Sequence, residues 1–247
     1  MIGIGPGGAD QLTVDAVAAL NDVDVFVVPV KDRGVDDLVA VREEICHRHI
    51  TGDYRIVEVP DPPRDRAPAA DYDSAVSDWH EARAVAIETV LADLEPDQVA
   101  GLLVWGDPSL YDSHLRIVER ILARGVVTFS YDVVPGVSSV QLLAARHRIV
   151  LHRVGEPVTI TTGRRLLASV EAGADNLVVM LDGDLTCRQL SGDWEVWWGA
   201  NLGTSAEALV SGALREVLPE IEDLRAQAKA DRGWVMDTYL LRRGQAG

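Results

Sequence analysis

The chain has little cysteine, few basic side chains and no long apolar run, and each shortage excludes a class of protein. Its two cysteines, Cys46 and Cys187, form no Cys-x-x-Cys pair and are too few for a disulfide framework. The 23 basic residues stand against 39 acidic ones, a formal net charge of −16, which argues against binding to nucleic acid or to an anionic membrane. No run reaches about 18 uncharged apolar residues and no signal peptide opens the chain, so we expect a cytoplasmic protein without a membrane span.

The composition of the chain is that of a globular protein. With 247 residues, 47% of them hydrophobic, it can bury the core of one large domain or of two ordinary ones. Strand-like and helix-like segments alternate as far as residue 147 and restart after a polar connector at 148–157. We therefore predict an α/β protein of two domains, 1–150 with a mostly parallel sheet and 151–247 with a mixed sheet.

The predicted strands of the first domain are short and apolar on both faces, as in a parallel sheet covered by helices. Thr13 is expected to cap the first helix, since its hydroxyl can accept an amide hydrogen there. The first strand is shorter than the usual strand of about five to six residues, so we expect the natural chain to begin a few residues earlier. The predicted strands lie at 2–4, 24–30, 54–59, 102–105, 126–131, 158–161, 177–181, 195–198 and 234–241.

Three loops that contain glycine and proline lie next to predicted strands of the first domain. The first reads Gly-Ile-Gly-Pro-Gly-Gly at 3–8, the second spans 105–111 and the third spans 134–139. Glycine lets backbone groups approach a ligand closely, and loops at the carboxyl ends of parallel strands share one edge of the sheet. The three loops together therefore predict a small-molecule site at that edge.

The first loop also satisfies the Gly-x-Gly-x-x-Gly pattern of dinucleotide-binding proteins. That function requires an acidic residue at the end of the next strand to hold the ribose hydroxyls, but Pro29, Val30 and Lys31 occupy that position. Pro6 also stiffens the loop where a helix should begin. The mismatch disfavours an NAD(P)-dependent oxidoreductase, which we keep as the alternative from a different class.

The order and spacing of the loops resemble the tetrapyrrole methylase family, whose members use S-adenosylmethionine (SAM). The matching segments cover nearly the whole chain and are found at 3–7 with 12–13, 106–111, 135–139, 177–181 and 202–204. The resemblance implies two α/β domains with SAM held between them, and a homodimer.

Two further segments, 26–34 and 60–83, resemble one branch of this family. The resemblance implies an enzyme of cobalamin biosynthesis that methylates position one of the precorrin-5 ring. Such an enzyme releases acetate and converts SAM into S-adenosylhomocysteine. Another precorrin or uroporphyrinogen-III methyltransferase, or a tetrapyrrole carrier without activity, remains an alternative.

The resemblance also assigns cofactor contacts, most of them in the three loops. The implied SAM-binding residues are Pro6, Trp105, Gly106, Asp107, Leu110, Ser138, Ser139, Leu181 and Gly203. Two of these side chains have a second interpretation in local structure. Asp107 can stabilise its own turn, and Ser138 can cap the helix that follows it.

A precorrin carries many carboxylates, so an acidic protein needs isolated cations to bind it. The candidates are Lys31, Arg33, Arg64 and Arg66, because the planar fork of arginine fits a carboxylate with two hydrogen bonds. Solvated surface charge explains such residues equally well.

Acetate release needs a group that activates water or polarises the acetyl carbonyl, and histidine is the usual residue for proton transfer near neutral pH. The candidates are His80, Asp107, Tyr111 and His114, with Asp112 beside them. The sequence does not rank them, and a substrate that supplies the driving force itself would need no protein base.

No metal is expected to take part in the methyl transfer, which needs aligned reactants and the exclusion of water. Cys46, His47 and His49 are close in sequence but lack the spacing of metal ligands on a helix. We therefore predict no metal site.

Overall fold

The computed structural model describes residues 1–30, 36–62 and 72–244 and divides into two compact units. The first unit contains 1–5 and 9–137, and the second contains Pro6–Gly8 and the chain from Ser138 onward. This division gives the helix at 139–147 to the second unit, whereas the sequence-based boundary lies at residue 150.

The first unit alternates strands and helices. Its strands are β1 (Ile2–Gly3), β2 (Val25–Val30), β3 (Arg55–Pro60), β4 (Ala100–Gly101) and β5 (Leu103–Val104). Its α-helices are α1 (Val14–Asn21), α2 (Asp36–His49), α3 (Tyr72–Ala92) and α4 (His114–Arg124). The predicted cap of α1 is confirmed, because the Thr13 hydroxyl accepts the Ala16 amide hydrogen at 3.0 Å.

All strand pairs of the first unit are parallel, as predicted. β2 pairs with β3 on one side and with β4 on the other, and β5 pairs with β1. The strand predicted at 126–131 is wrong, since in this part of the chain only Val134 pairs, through an isolated bridge to Ile2. Val127 and Phe129 pack on the core while Val126 stays 65% exposed, so the apolar residues of this segment are partly buried without backbone pairing.

The sheet of the first unit is covered on both faces. Phe26 packs in one buried cluster with Leu20 of α1 and Ile45 of α2, and the next residue, Val27, packs in another with Ile87 of α3. Neighbouring residues of a strand point to opposite faces, so the uninterrupted apolar run of β2 follows from burial on both sides.

The second unit is built on one mixed sheet, as predicted. Its strands are β6 (Thr159–Thr162), β7 (Asn176–Met180), β8 (Trp194–Ala200), β9 (Ala208–Ala213) and β10 (Asp237–Arg243). Its α-helices are α5 (Ser139–His147), α6 (Gly163–Glu171) and α7 (Leu214–Arg232). The strand order is β6-β7-β10-β8-β9, and only β6 and β7 are parallel.

Within the described ranges, no helix is long and apolar enough to cross a membrane. The same residues contain no group of three or more His, Cys, Asp or Glu side chains that could hold a metal ion.

Candidate active site

The three loops meet backbone to backbone in the first unit. Gly5 and Gly106 exchange hydrogen bonds, with the Gly106 nitrogen 2.8 Å from the Gly5 oxygen. A Cβ atom added to Gly3 would lie 2.5 Å from the Gly136 nitrogen, and one added to Gly136 would lie 2.1 Å from the Gly106 oxygen. The glycines are therefore required by the close approach of the loops, and the predicted convergence is confirmed.

Asp107 ties the second loop to the third. Its Oδ1 accepts the Ser109 amide hydrogen at 2.9 Å and the Ser109 hydroxyl, and its Oδ2 accepts the Gly136 amide hydrogen at 2.9 Å. Burial acts to raise the pKa of Asp107, but these hydrogen bonds outweigh it and hold the pKa below its usual value. The turn-stabilising interpretation of this side chain is confirmed.

Trp105 and Leu110, at the two ends of the second loop, are half-buried. Tyr111 follows them with a left-handed backbone, φ 54°, and its side chain is exposed.

Ser138 and Ser139 begin α5 in the second unit. The Ser138 hydroxyl accepts the Gln141 amide hydrogen at 3.3 Å, and the Gln141 side-chain oxygen accepts the Ser138 amide hydrogen at 2.8 Å. This reciprocal pair is a capping box, so the helix-cap interpretation of Ser138 is confirmed. The Ser139 hydroxyl lies 3.2 Å from that of Thr238 on β10.

Pro6–Gly8, the end of the first loop, packs against the loop that contains Gly203. A Cβ atom added to Gly7 would lie 2.7 Å from the Leu202 oxygen and 2.6 Å from the Thr204 methyl group. The Gly203 amide donates to a Glu207 carboxylate oxygen at 2.7 Å. Two predicted SAM contacts, Pro6 and Gly203, are thus brought together within the second unit.

Leu181 stands on a buried polar network that the sequence did not predict. Its side chain is 67% exposed and its backbone is left-handed, φ 52°. The buried Asp182 carboxylate accepts the Tyr239 hydroxyl at 2.5 Å and the Thr186 amide hydrogen at 2.6 Å, and Arg225 donates to the Asp182 carbonyl at 2.7 Å. The network fixes the backbone that presents Leu181 to solvent.

A second polar cluster lies beyond the carboxyl ends of β3 and β5, where Asp112 and His114 interact. The His114 Nδ1 lies 2.8 Å from the Asp112 Oδ1, and the His114 amide donates to the same oxygen at 2.6 Å. Burial acts to raise the pKa of Asp112, but the hydrogen bonds and charge of its partners outweigh it and lower the pKa.

Two arginines missed by the sequence analysis adjoin this pair. Arg83 forms an ion pair with Asp61 at 2.9 Å, and its guanidinium lies 4.6 Å from the centre of the Trp79 ring. Burial lowers the pKa of both Arg83 and Arg42, and each arginine is within electrostatic range of Asp112. The sequences of α2 and α3 did not reveal these two arginines, because their acidic partners are distant in sequence.

The positions of the remaining candidate residues say less about function. His80 is buried on α3, with its ring centre 5.3 Å from that of Trp79. Lys31, Arg33, Arg64 and Arg66 lie outside the described residues. Cys46 is buried, which raises the pKa of its thiol to about 11.

Two α/β units, and glycine loops that meet in the first of them, together indicate the class of protein to which the chain belongs. The chain belongs to the tetrapyrrole (corrin/porphyrin) methylase family, whose sequence model matches residues 1–218. It is 47% identical over 247 aligned residues to a precorrin-6A synthase [deacetylating] of Sinorhizobium sp., an alignment that covers 99% of this chain and 94% of the relative.

Solved structures agree with this assignment. A putative cobalamin synthesis related protein (CobF) from Corynebacterium diphtheriae is 36% identical, with a TM-score of 0.83 and coverage of 98% of this chain and 96% of that chain. A uroporphyrin-III C-methyltransferase from Thermus thermophilus, complexed with S-adenosylhomocysteine, is 19% identical with a TM-score of 0.57, covering 98% and 95%, and shows the shared fold alone. The predicted family, the fold class and the class of SAM-dependent methyltransferase are confirmed.

Proposed function

We propose that the protein methylates position one of the precorrin-5 ring, releases acetate and forms precorrin-6A. The observation that carries the proposal is the 47% identity to a precorrin-6A synthase along nearly the full length of both chains. The likeness to a cobalamin synthesis related protein supports it. Family resemblance further supports a cytoplasmic homodimer.

The residues proposed to hold SAM suit a cationic ligand with a large apolar surface. SAM, when bound, supplies a methyl group on a positively charged sulfur. The proposed contacts are Trp105, Gly106, Asp107 and Leu110 of the first unit, and Pro6, Ser138, Ser139, Leu181 and Gly203 of the second. Asp107 is the one ionisable side chain among them, and its negative charge favours a sulfonium.

The side-chain oxygens of Asp107 and Ser138 already bond to the protein, so their direct hydrogen-bonding capacity is largely used. Backbone groups of the loops and the apolar side chains of Trp105, Leu110 and Leu181 therefore supply most of the proposed contact. Their contribution to the reaction is to align the reacting atoms and to exclude water.

Cations for the carboxylates of the substrate are proposed in two groups. Lys31, Arg33, Arg64 and Arg66 remain the candidates from the sequence. Arg83, which pairs with Asp61 and is within electrostatic range of Asp112, is a further candidate. His80, Asp107, Tyr111 and His114 remain the candidates for proton transfer.

The proposal is tested in two steps. Calorimetric titration should show binding of S-adenosylhomocysteine and none of NADH, and binding of NADH alone would restore the oxidoreductase alternative. Incubation with precorrin-5 and SAM should then yield acetate and S-adenosylhomocysteine in equal amounts. S-adenosylhomocysteine without acetate would indicate a methyltransferase of another ring position, and binding of the macrocycle without turnover would indicate a carrier.

A further inference from the structure

His114 has the geometry of an oriented base. A carboxylate only accepts hydrogen bonds, so the Nδ1 that faces Asp112 at 2.8 Å carries a hydrogen, and in the neutral ring Nε2 keeps its lone pair. The side chain is only 9% exposed, and Nε2 has no hydrogen-bond partner among the described residues. The pair thus presents a proton acceptor on a largely buried side chain, with its tautomer fixed by a neighbouring carboxylate.

Asp107 and Tyr111 are less suited to act as the base. Both Asp107 oxygens bind groups of the loops, and its lowered pKa makes it a weak base. The Tyr111 side chain is 43% exposed, and burial raises its pKa, so it stays protonated near neutral pH. His80 lies inside α3, with its ring centre 5.3 Å from that of Trp79, and not at the end of a loop of the candidate site.

The place of the pair in the fold also favours a role in the reaction. His114 is the first residue of α4, directly after the loop that Asp107 fixes to Gly136. Arg83 from α3 and Arg42 from α2 lie within electrostatic range of Asp112, at the end of the sheet where β3 leads into Asp61. The positive charge of Arg83 would attract an anionic ring to the cluster that contains His114.

We propose that His114 is the base that activates water for acetate release, and that Asp112 is the residue that positions it. This inference rests on the proposed function. A purely structural account explains part of the observation, since the Asp112 carboxylate also accepts the first amide hydrogen of α4. It does not explain why the carboxylate also orients the His114 ring and leaves Nε2 without a hydrogen-bond partner among the described residues.

Acetate release proceeds by attack of water on the acetyl group. His114 Nε2 takes a proton from water while the water oxygen bonds to the acetyl carbonyl carbon. The bond from that carbon to the ring carbon breaks, its electron pair stays on the ring, and the two-carbon unit leaves as acetic acid. The ring carbon then takes the methyl group of SAM, which leaves neutral S-adenosylhomocysteine. Substrate, water and SAM together give methylated ring, acetate, S-adenosylhomocysteine and two protons.

The test measures acetate formed from precorrin-5 and SAM by the full-length protein. His114→Gln is expected to lower kcat for acetate formation by about 10²-fold or more, the usual contribution of a general base, while the Kd of S-adenosylhomocysteine stays unchanged. Added imidazole should partly restore the rate of His114→Ala. The matched control is His49→Gln, which removes a histidine whose Nε2 bonds only to the Ala9 carbonyl, 2.8 Å away, and which should keep the wild-type rate.

Asp112→Asn separates positioning from structure, because the amide oxygen can still accept the α4 amide hydrogen. The imidazolium that forms on proton uptake loses its adjacent carboxylate, so the acid-side fall of the rate profile should move to lower pH, with kcat about tenfold lower. Arg83 and Arg42 remain charged throughout, and Asp61 stays paired with Arg83. Asp24→Asn, at an exposed carboxylate that accepts the Val99 amide hydrogen, is the matched control.

The outcomes are distinguishable. A wild-type protein that forms no acetate from precorrin-5 would overturn the proposed function itself. A wild-type protein that does so, with His114→Gln within about threefold of it or with an unmoved pH profile in Asp112→Asn, would overturn the inference alone. If His114→Gln fails to fold, as judged by loss of S-adenosylhomocysteine binding, the profile of Asp112→Asn decides.

Discussion

Asp107 shows how one side chain can be a fixed part of a site without reacting. Two outcomes were open from the sequence, a turn-stabilising role and a ligand contact, because an Asp-Pro-Ser segment favours an Asx turn. The bond to the Ser109 amide is local and could be predicted. The bond to Gly136, 29 residues away, could not be, since sequence spacing says nothing about which loops meet.

Asp107→Ala should lower the free energy of unfolding by about 1–3 kcal/mol, the usual contribution of hydrogen bonds to a charged group. Urea denaturation at pH 7 measures it. Because the folded pKa of Asp107 lies below its unfolded value, this stabilisation is present above about pH 4 and is lost as the pH falls through the folded pKa. The difference between wild type and variant should therefore shrink on acidification, and an equal difference at pH 7 and pH 3 would contradict the assignment.

Gly136→Ala should be more damaging than its small size suggests. The added methyl group would lie 2.1 Å from the Gly106 oxygen, a backbone atom that cannot rotate away. We expect a loss of about 3 kcal/mol in unfolding free energy and weaker binding of S-adenosylhomocysteine. Gly52→Ala is the control, because a Cβ atom there meets nothing within 4 Å. Equal stability of the two variants would show that the loops tolerate separation.

Among the strands, those buried on both faces could be predicted from the sequence, whereas a strand that pairs at the edge of a sheet could not. The run of β2 could be assigned from its sequence, because Phe26 and Val28 pack on one helix layer and Val27 packs on the other. β9 (Ala208–Ala213) was missed, since it is an edge strand that pairs only with β8 and contains Gly212 and Ser211. The helix after it, α7, carries Pro219 inside its span, a residue that usually argues against a helix.

The turn after β7 offers a test of the proposed cofactor contact. Leu181→Asn keeps a residue that tolerates a left-handed backbone but removes the exposed apolar surface. If Leu181 covers the cofactor, S-adenosylhomocysteine should bind about tenfold more weakly, as expected from the loss of a buried leucine, with little change in stability. Val154→Asn, at a fully exposed turn residue, is the control. Unchanged affinity in calorimetry would remove Leu181 from the site.

At the scale of the whole molecule, ligand binding should be visible as stability. S-adenosylhomocysteine at about a hundredfold over its Kd should raise the free energy of unfolding by about 2.7 kcal/mol, because it binds only the folded chain. NADH at the same concentration should have no effect. Thermal denaturation monitored by circular dichroism measures both, and stabilisation by NADH alone would contradict the methyltransferase assignment.

The net charge of −16 gave only a broad expectation about ligands. It excluded polyanionic partners of low specificity, whereas the proposed substrate is itself a polyanion. The two statements are compatible because binding depends on local charge. Arg42 and Arg83 are partly buried beside a sheet edge, where nearby side chains determine the electrostatic potential. Such a grouping from α2 and α3 depends on the fold and is invisible in an overall charge.

The assignment of Pro6–Gly8 to the second unit limits how the polypeptide can be divided. A fragment that starts at residue 138 would lack Gly7. The Leu202 oxygen and the Thr204 methyl group would then lose the backbone segment that packs against them. Neither a gene split at one position nor a simple swap of halves with a relative would yield self-sufficient pieces. Grafting would have to carry three residues from the beginning of the chain along with its latter half.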